Sequence, residues 1–153
     1  MRKYQNIASI LLRLSISFSF LVSVSDRLGW WGKNGTKGVT CGDWQHFVDY
    51  LNVIFPYLSA SIINILALFI TITEMSIAVL LVFGTSTKLA ALTASLATLI
   101  FALLMAITMG IKAPFNYSIF VLSTASFLLS TLDEYPCSLD ALIAQSNNNF
   151  KNK

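Results

Sequence analysis

The stretch TEMSIAVLLVFGTSTKLAAL, residues Thr73 to Leu92, decides the fold. It opens on an acid, Glu74, and continues for nine residues without a charge. It then turns through Gly84-Thr85-Ser86-Thr87 and restarts at Lys88 as a second apolar run. Two long apolar runs joined by so short a turn read as a hairpin of helices. A carboxyl as deep in hydrocarbon as Glu74 is costly, and it calls for a partner and a reason.

Working outward, the whole chain has the composition of that stretch. Its 153 residues are 56% hydrophobic and only 11% charged, with a mean hydropathy of +0.71. Soluble domains carry about 25% charged residues. The expectation is therefore a single-domain, all-α integral membrane protein, a four-helix up-down bundle with spans at about 7–24, 62–83, 89–109 and 115–132. A basic start followed by an apolar run also fits a cleaved signal, but Arg13 interrupts the run and three more apolar segments follow, which favours a first span.

Within the first span, Ser15, Ser19 and Ser23 recur every four residues and share a face, either bonding across to a neighbouring helix or back to their own carbonyls. Asp26-Arg27 closes it, and both residues are secondary candidates for the polar site, with Lys88, Asn116, Tyr117 and Asp140. A Gly- and Trp-rich loop follows, and residues 44–58 space Phe47, Tyr50, Leu51, Ile54 and Phe55 as a short amphipathic helix, with Pro56 dividing it from the second span. In the third span Ala90 and Ala94, then Ala102, Ala106 and Gly110, form small-residue pairs that suit close helix packing.

The net charge of +3 is modest and is not gathered into a basic patch, so nucleic acid is not expected as a partner. One histidine and two cysteines without a C-x-x-C give no metal site or dithiol, and no nucleotide-binding glycine motif occurs. With the N-terminus in the cytoplasm, six basic residues (Arg2, Lys3, Arg13, Lys88, Lys151, Lys153) lie on or toward the inner side. Four lie outside: Arg27, Lys33, Lys37 and Lys112. The positive-inside rule then places both termini in the cytoplasm and Cys41 and Cys137 on opposite sides.

The partner expected for Glu74 is Arg13. Counted from the span midpoints at about 1.5 Å per residue, the two sit at depths within a few Å of each other. Either the pair is a staple that fixes helix register, or it lines a polar cleft. Lys88 is expected to meet Asp140 or anionic headgroups. Asn116 and Tyr117 read as an interfacial anchor and cap or as donors to a ligand.

Several blocks, in order, resemble the DoxX family of membrane proteins: LLRLSISFSFLVSVSDRLG (residues 11–29), GDWQHF (42–47), the Thr73–Leu92 stretch, IKAPFNYSIF (111–120) and SLDAL (138–142). Lys88 stands where the family more often has arginine, and a lysine keeps the charge but loses the planar fork. The resemblance covers nearly the whole chain and implies a four-helix bundle in the bacterial inner membrane. That family includes a quinone-reducing subunit of a thiosulfate:quinone oxidoreductase and members linked to redox-stress complexes. The implied function is a quinone-interacting subunit of a membrane oxidoreductase with a membrane or periplasmic redox partner, quinone being the implied cofactor and Arg13 and Glu74 the floor of its pocket. The alternative is a non-catalytic membrane anchor or assembly subunit; whether the chain is itself an enzyme stays open.

Overall fold

The computed structural model describes residues 2–143 and 145, and every described element is helical. In order they are α1 (Arg2–Arg27), α2 (Trp44–Ile54), α3 (Ala60–Phe83), α4 (Thr87–Met109), α5 (Lys112–Asn116) and α6 (Ile119–Ser130), with a further helical stretch at 139–143. Three of them, α1, α3 and α4, are long and apolar enough to cross a membrane.

The α3–α4 hairpin forms as the quoted stretch suggests. Gly84 ends α3 in a left-handed conformation (φ +67°), and its N–H and that of Thr85 both return to the Leu80 carbonyl. A glycine is required there, because a Cβ would collide with Ser138 and come within 2.6 Å of Arg13 Nη1. α3 runs unbroken although it carries Asn64, Thr71, Thr73 and Ser76. Each of these side chains donates to the carbonyl four residues earlier, so the three hydroxyl hydrogens and one of the two Asn64 amide hydrogens are satisfied within the helix.

The fourth expected span, 115–132, is divided. α5 stops at Asn116, Ser118 takes a left-handed conformation (φ +54°), and α6 starts at Ile119. At about 1.5 Å per residue, the 12 residues of α6 reach about 18 Å, short of the ~30 Å hydrocarbon core. Three of the four expected spans therefore form as long apolar helices, and α6 is a shorter apolar helix. α5 and α6 nevertheless return the chain to the end where α1 begins, since Leu129 packs with Ile16, Leu81 and Ala90.

α1 packs mainly on α3, and α4 mainly on α6. The α4–α6 contact is close because Ala90, Ala94, Ser95 and Ala102 face Ser123, Ser126 and Ser130, all buried, with Ser123 Oγ donating to the Ser95 carbonyl at 2.9 Å. Of the α1 serines, Ser19 donates back to the Ser15 carbonyl, and the cross-helix bond comes from Ser17 instead, to the Ala78 carbonyl at 2.8 Å.

α2 buries Phe47, Val48, Leu51 and Ile54 and exposes Gln45, His46 and Asp49, which is the amphipathic arrangement its spacing indicates. Its N-cap, Asp43, accepts from the His46 N–H at 2.9 Å. The buried apolar side chains fall into two clusters. One at the α3–α4 turn end holds Ile16, Phe20, Ile77 and Leu81; the other, at the loop end, holds Phe47, Leu51, Ile63 and Ala67. The chemistry lies between them.

Candidate functional site

Glu74 is paired, but with Arg27. Arg27 Nη2 lies 2.8 Å from Glu74 Oε2, and the two side chains are 8% and 18% exposed. The guanidinium also donates to Ser23 Oγ at 3.0 Å and to Thr71 Oγ1 at 3.2 Å. Its Cζ sits 3.8 Å from the centre of the Phe47 ring. Three helices thus hold one cation: α1 supplies it, α3 the carboxylate and a hydroxyl, and α2 the aromatic face. Such a stack is favourable when the cation is withdrawn from water.

The expected Arg13–Glu74 pair is corrected by the register of α1 on α3. The Ser17–Ala78 bond sets those two residues at one level. Because the helices run antiparallel, Glu74 is level with about residue 21 of α1. Arg13 lies about eight residues, or ~12 Å, toward the turn end, and Arg27 about six residues, or ~9 Å, toward the loop end. Side chains on a helix lean toward its N-terminus, so Arg27 leans toward Glu74 and Arg13 leans away. Asp26-Arg27 does close the first helix, and both side chains are buried there, so the secondary candidate Arg27 takes the place expected of Arg13.

Arg13 instead locks the other end. It is buried, and its Nη2 donates to the Cys137 carbonyl at 2.7 Å and its Nη1 to the Pro136 carbonyl at 3.4 Å. Asp140, expected near Lys88, caps α4: its carboxylate accepts from the Ser86 N–H at 2.9 Å and the Thr87 N–H at 2.8 Å. Burial alone would push the Asp140 carboxyl up, but the donors from Thr87 and Ser86 and the charge of Arg13 outweigh it and hold the group below its ordinary value. Lys88 is exposed on α4 and makes no ion pair among the described residues.

Beside the Arg27–Glu74 pair lies a cavity of about 480 Å³. Its walls come from α1, the following loop, α2, α3, α4 and the α5–α6 junction. They are largely aromatic and aliphatic: Phe20, Trp31, Phe47, Tyr50, Phe101 and Leu122. Asp26, adjacent in sequence to Arg27, faces the loop and accepts from the Cys41 N–H at 2.7 Å and the Thr40 N–H at 3.4 Å, so it fastens the loop over the cavity. Burial first, then the charge of Asp26, pushes the Cys41 thiol up, which keeps it protonated and poorly nucleophilic. Burial pushes the Tyr50 phenol up to about 12; its hydroxyl is directed to Met105 Sδ at 3.4 Å.

Of the candidates from the sequence, Asp26, Arg27, Glu74 and Tyr117 meet at this cavity; Arg13 and Asp140 meet near the α3–α4 turn. Asn116 and Tyr117 are exposed, with Tyr117 on the cavity wall. Lys151 and Lys153 lie outside the described residues. Sequence reading missed Phe47, Thr71 and Tyr50 as site residues. Phe47 and Tyr50 carried a signal, the α2 spacing, which indicates an amphipathic helix but not what its apolar face meets. No protein-family model, curated protein or solved structure matches the chain.

Proposed function

We propose that the chain is a membrane-embedded subunit of the DoxX type whose cavity holds the ring of a quinone for a partner oxidoreductase. The observation that carries this is a ring-sized cavity, about 480 Å³, walled by aromatic side chains and containing one buried ion pair. Small-molecule sites have this size and this mixture of apolar wall and few polar groups. The residues suit a quinone ring: Phe47, Phe101 and Tyr50 offer flat apolar faces, and Glu74 offers one polar contact at the wall. When bound, the quinone supplies the two-electron chemistry that no side chain here provides. The chain's own part is to orient the ring, shield it from water and fix the charge of Arg27 beside it.

In this reading α5 and α6 act together as the fourth membrane-embedded element, the membrane is the bacterial inner membrane, and both termini face the cytoplasm. The basic residues of the sequence support that orientation, and the return of the chain after α6 to the end where α1 starts supports the even number of passes. The test is a titration of the protein in lipid nanodiscs with a short-chain quinone, using empty nanodiscs as control. Saturable binding that is lost when Phe101→Trp fills the cavity is the expected result. Absence of saturable binding would remove the quinone reading and leave the anchor-subunit reading in its place.

A further inference from the structure

We infer that the ring ligand enters the cavity from the lipid side, through a mouth between α1 and the α5–α6 junction, and keeps its hydrocarbon chain in that seam. This rests on the quinone-class reading of the cavity and adds the route of entry and the part of the ligand left outside.

The wall residues are unequally covered. Those from α2, α3 and α4 are buried or half-buried. Every exposed one comes from the other side: Val22 on α1, Trp31, Gly38 and Thr40 in the loop, and Tyr117 at the α5–α6 junction. Helix packing accounts for this. α2 lies mainly on α3 and α4 and roofs that side, while α5 packs on α4 and α6. α1 and α6 share the cluster at the turn end through Ile16, Phe20 and Leu129. Nearer the loop no third helix packs closely on both, and Val22 is left 49% exposed.

The loop edge of the mouth is fastened. Trp31 Nε1 donates to Ser25 Oγ at 2.6 Å, Asp26 holds the N–H groups of Thr40 and Cys41, and Asn34 Nδ2 donates to the Cys41 carbonyl at 3.1 Å. Entry from the water side would have to break these bonds. The other edge faces lipid. Val22 lies five residues, about 8 Å, before the end of α1, within the stretch apolar enough to cross a membrane. Phe18, one turn earlier on the same face, is 57% exposed and carries the apolar surface away from the mouth. The rim itself holds Trp31 and Tyr117, whose amphipathic rings favour the membrane–water boundary. A polar ring carried at that boundary can slide inward while its chain stays among the acyl chains. The chain gains nothing by leaving lipid for an equally apolar seam, so its part is to deliver the ring rather than to hold it. A second recess, walled by Ile72, Leu80, Leu89 and Thr93 of α3 and α4, shares no residue with the cavity and gives no route to it.

Two photoreactive decyl-quinones in nanodiscs test the route, one with an azide on the ring and one with a diazirine midway along the chain. Adducts are mapped by peptide mass spectrometry with and without excess unlabelled decyl-quinone, and a decyl-diazirine lacking the ring marks unspecific labelling of lipid-facing residues. The expected result is chain adducts on Phe18, Val22 or Ile119 that are lost under competition, with competed ring adducts inside, on Tyr50 or Phe101. Competed ring adducts inside, with competed chain adducts on the loop, on α2, in the α3–α4 recess, on the inner wall or nowhere, would overturn the inference and leave the ring site standing. If neither probe gives a competed adduct, the quinone-class reading falls and takes this inference with it.

Discussion

Glu74 marks the limit of what a lone residue discloses. That it needed a partner was legible, since an acid inside a long apolar run rarely stands alone. Which partner was not, because the choice depends on the helix register set by the Ser17–Ala78 bond and on the direction in which arginine side chains lean. The pairing has a direct energetic consequence. Removing either Arg27 or Glu74 alone strands a buried charge and should cost about 3–5 kcal/mol, while removing both should cost less than the sum. A double-mutant cycle followed by unfolding in lipid should give a coupling of about 1–3 kcal/mol for Arg27–Glu74, and one within about 0.5 kcal/mol for Arg13–Glu74. Gly84 is equally specific. Its left-handed backbone and its contact with Ser138 and Arg13 predict that Gly84→Ala loses well over about 1 kcal/mol of stability, measured in the same assay.

Among the elements, α1, α3, α4 and the loop helix α2 were readable from apolar length and spacing, because those periodicities act within one segment. The break between α5 and α6 was not. Ser118 carries no residue signal for a left-handed turn, a conformation usually given to glycine. The docking of residues 133–143 on the α3–α4 turn was legible only as an approach of Asp140 to the hairpin at Lys88; its actual bonds join groups far apart in sequence, Arg13 to the Cys137 carbonyl and Asp140 to the Ser86 and Thr87 N–H groups. That cap has a pH signature. The folded Asp140 carboxyl is held below its ordinary value, so its contribution is present in full above the unfolded value of about 3.9 and fades as pH falls through the folded one. Asp140→Asn, which keeps an acceptor but removes the charge at the start of α4, should therefore lower stability by about 0.3–1 kcal/mol near neutral pH. The gap to the wild type should close in acid, as thermal unfolding in nanodiscs between about pH 7 and pH 3 would record. A gap that stays constant over that range would argue that Asp140 acts without its charge.

At the scale of the whole molecule, two apolar clusters enclose a polar layer, and the cavity opens where the fourth helical segment is interrupted. The same interruption leaves α6 only 12 residues long, so topology is an independent check on the proposed four passes. Reporters fused after Lys153 and within Gly35 to Cys41 should mark opposite sides of the membrane, the first of them the cytoplasm. The central claim is that the ring site is the cavity beside Arg27 and Glu74, and photoaffinity labelling with an azido-quinone in nanodiscs, with adducts mapped by peptide mass spectrometry, tests it most directly. Adducts competed by unlabelled quinone should fall on Tyr50, Phe101 or Tyr117. Competed adducts confined to the region of Arg13 and the α3–α4 turn would contradict the claim.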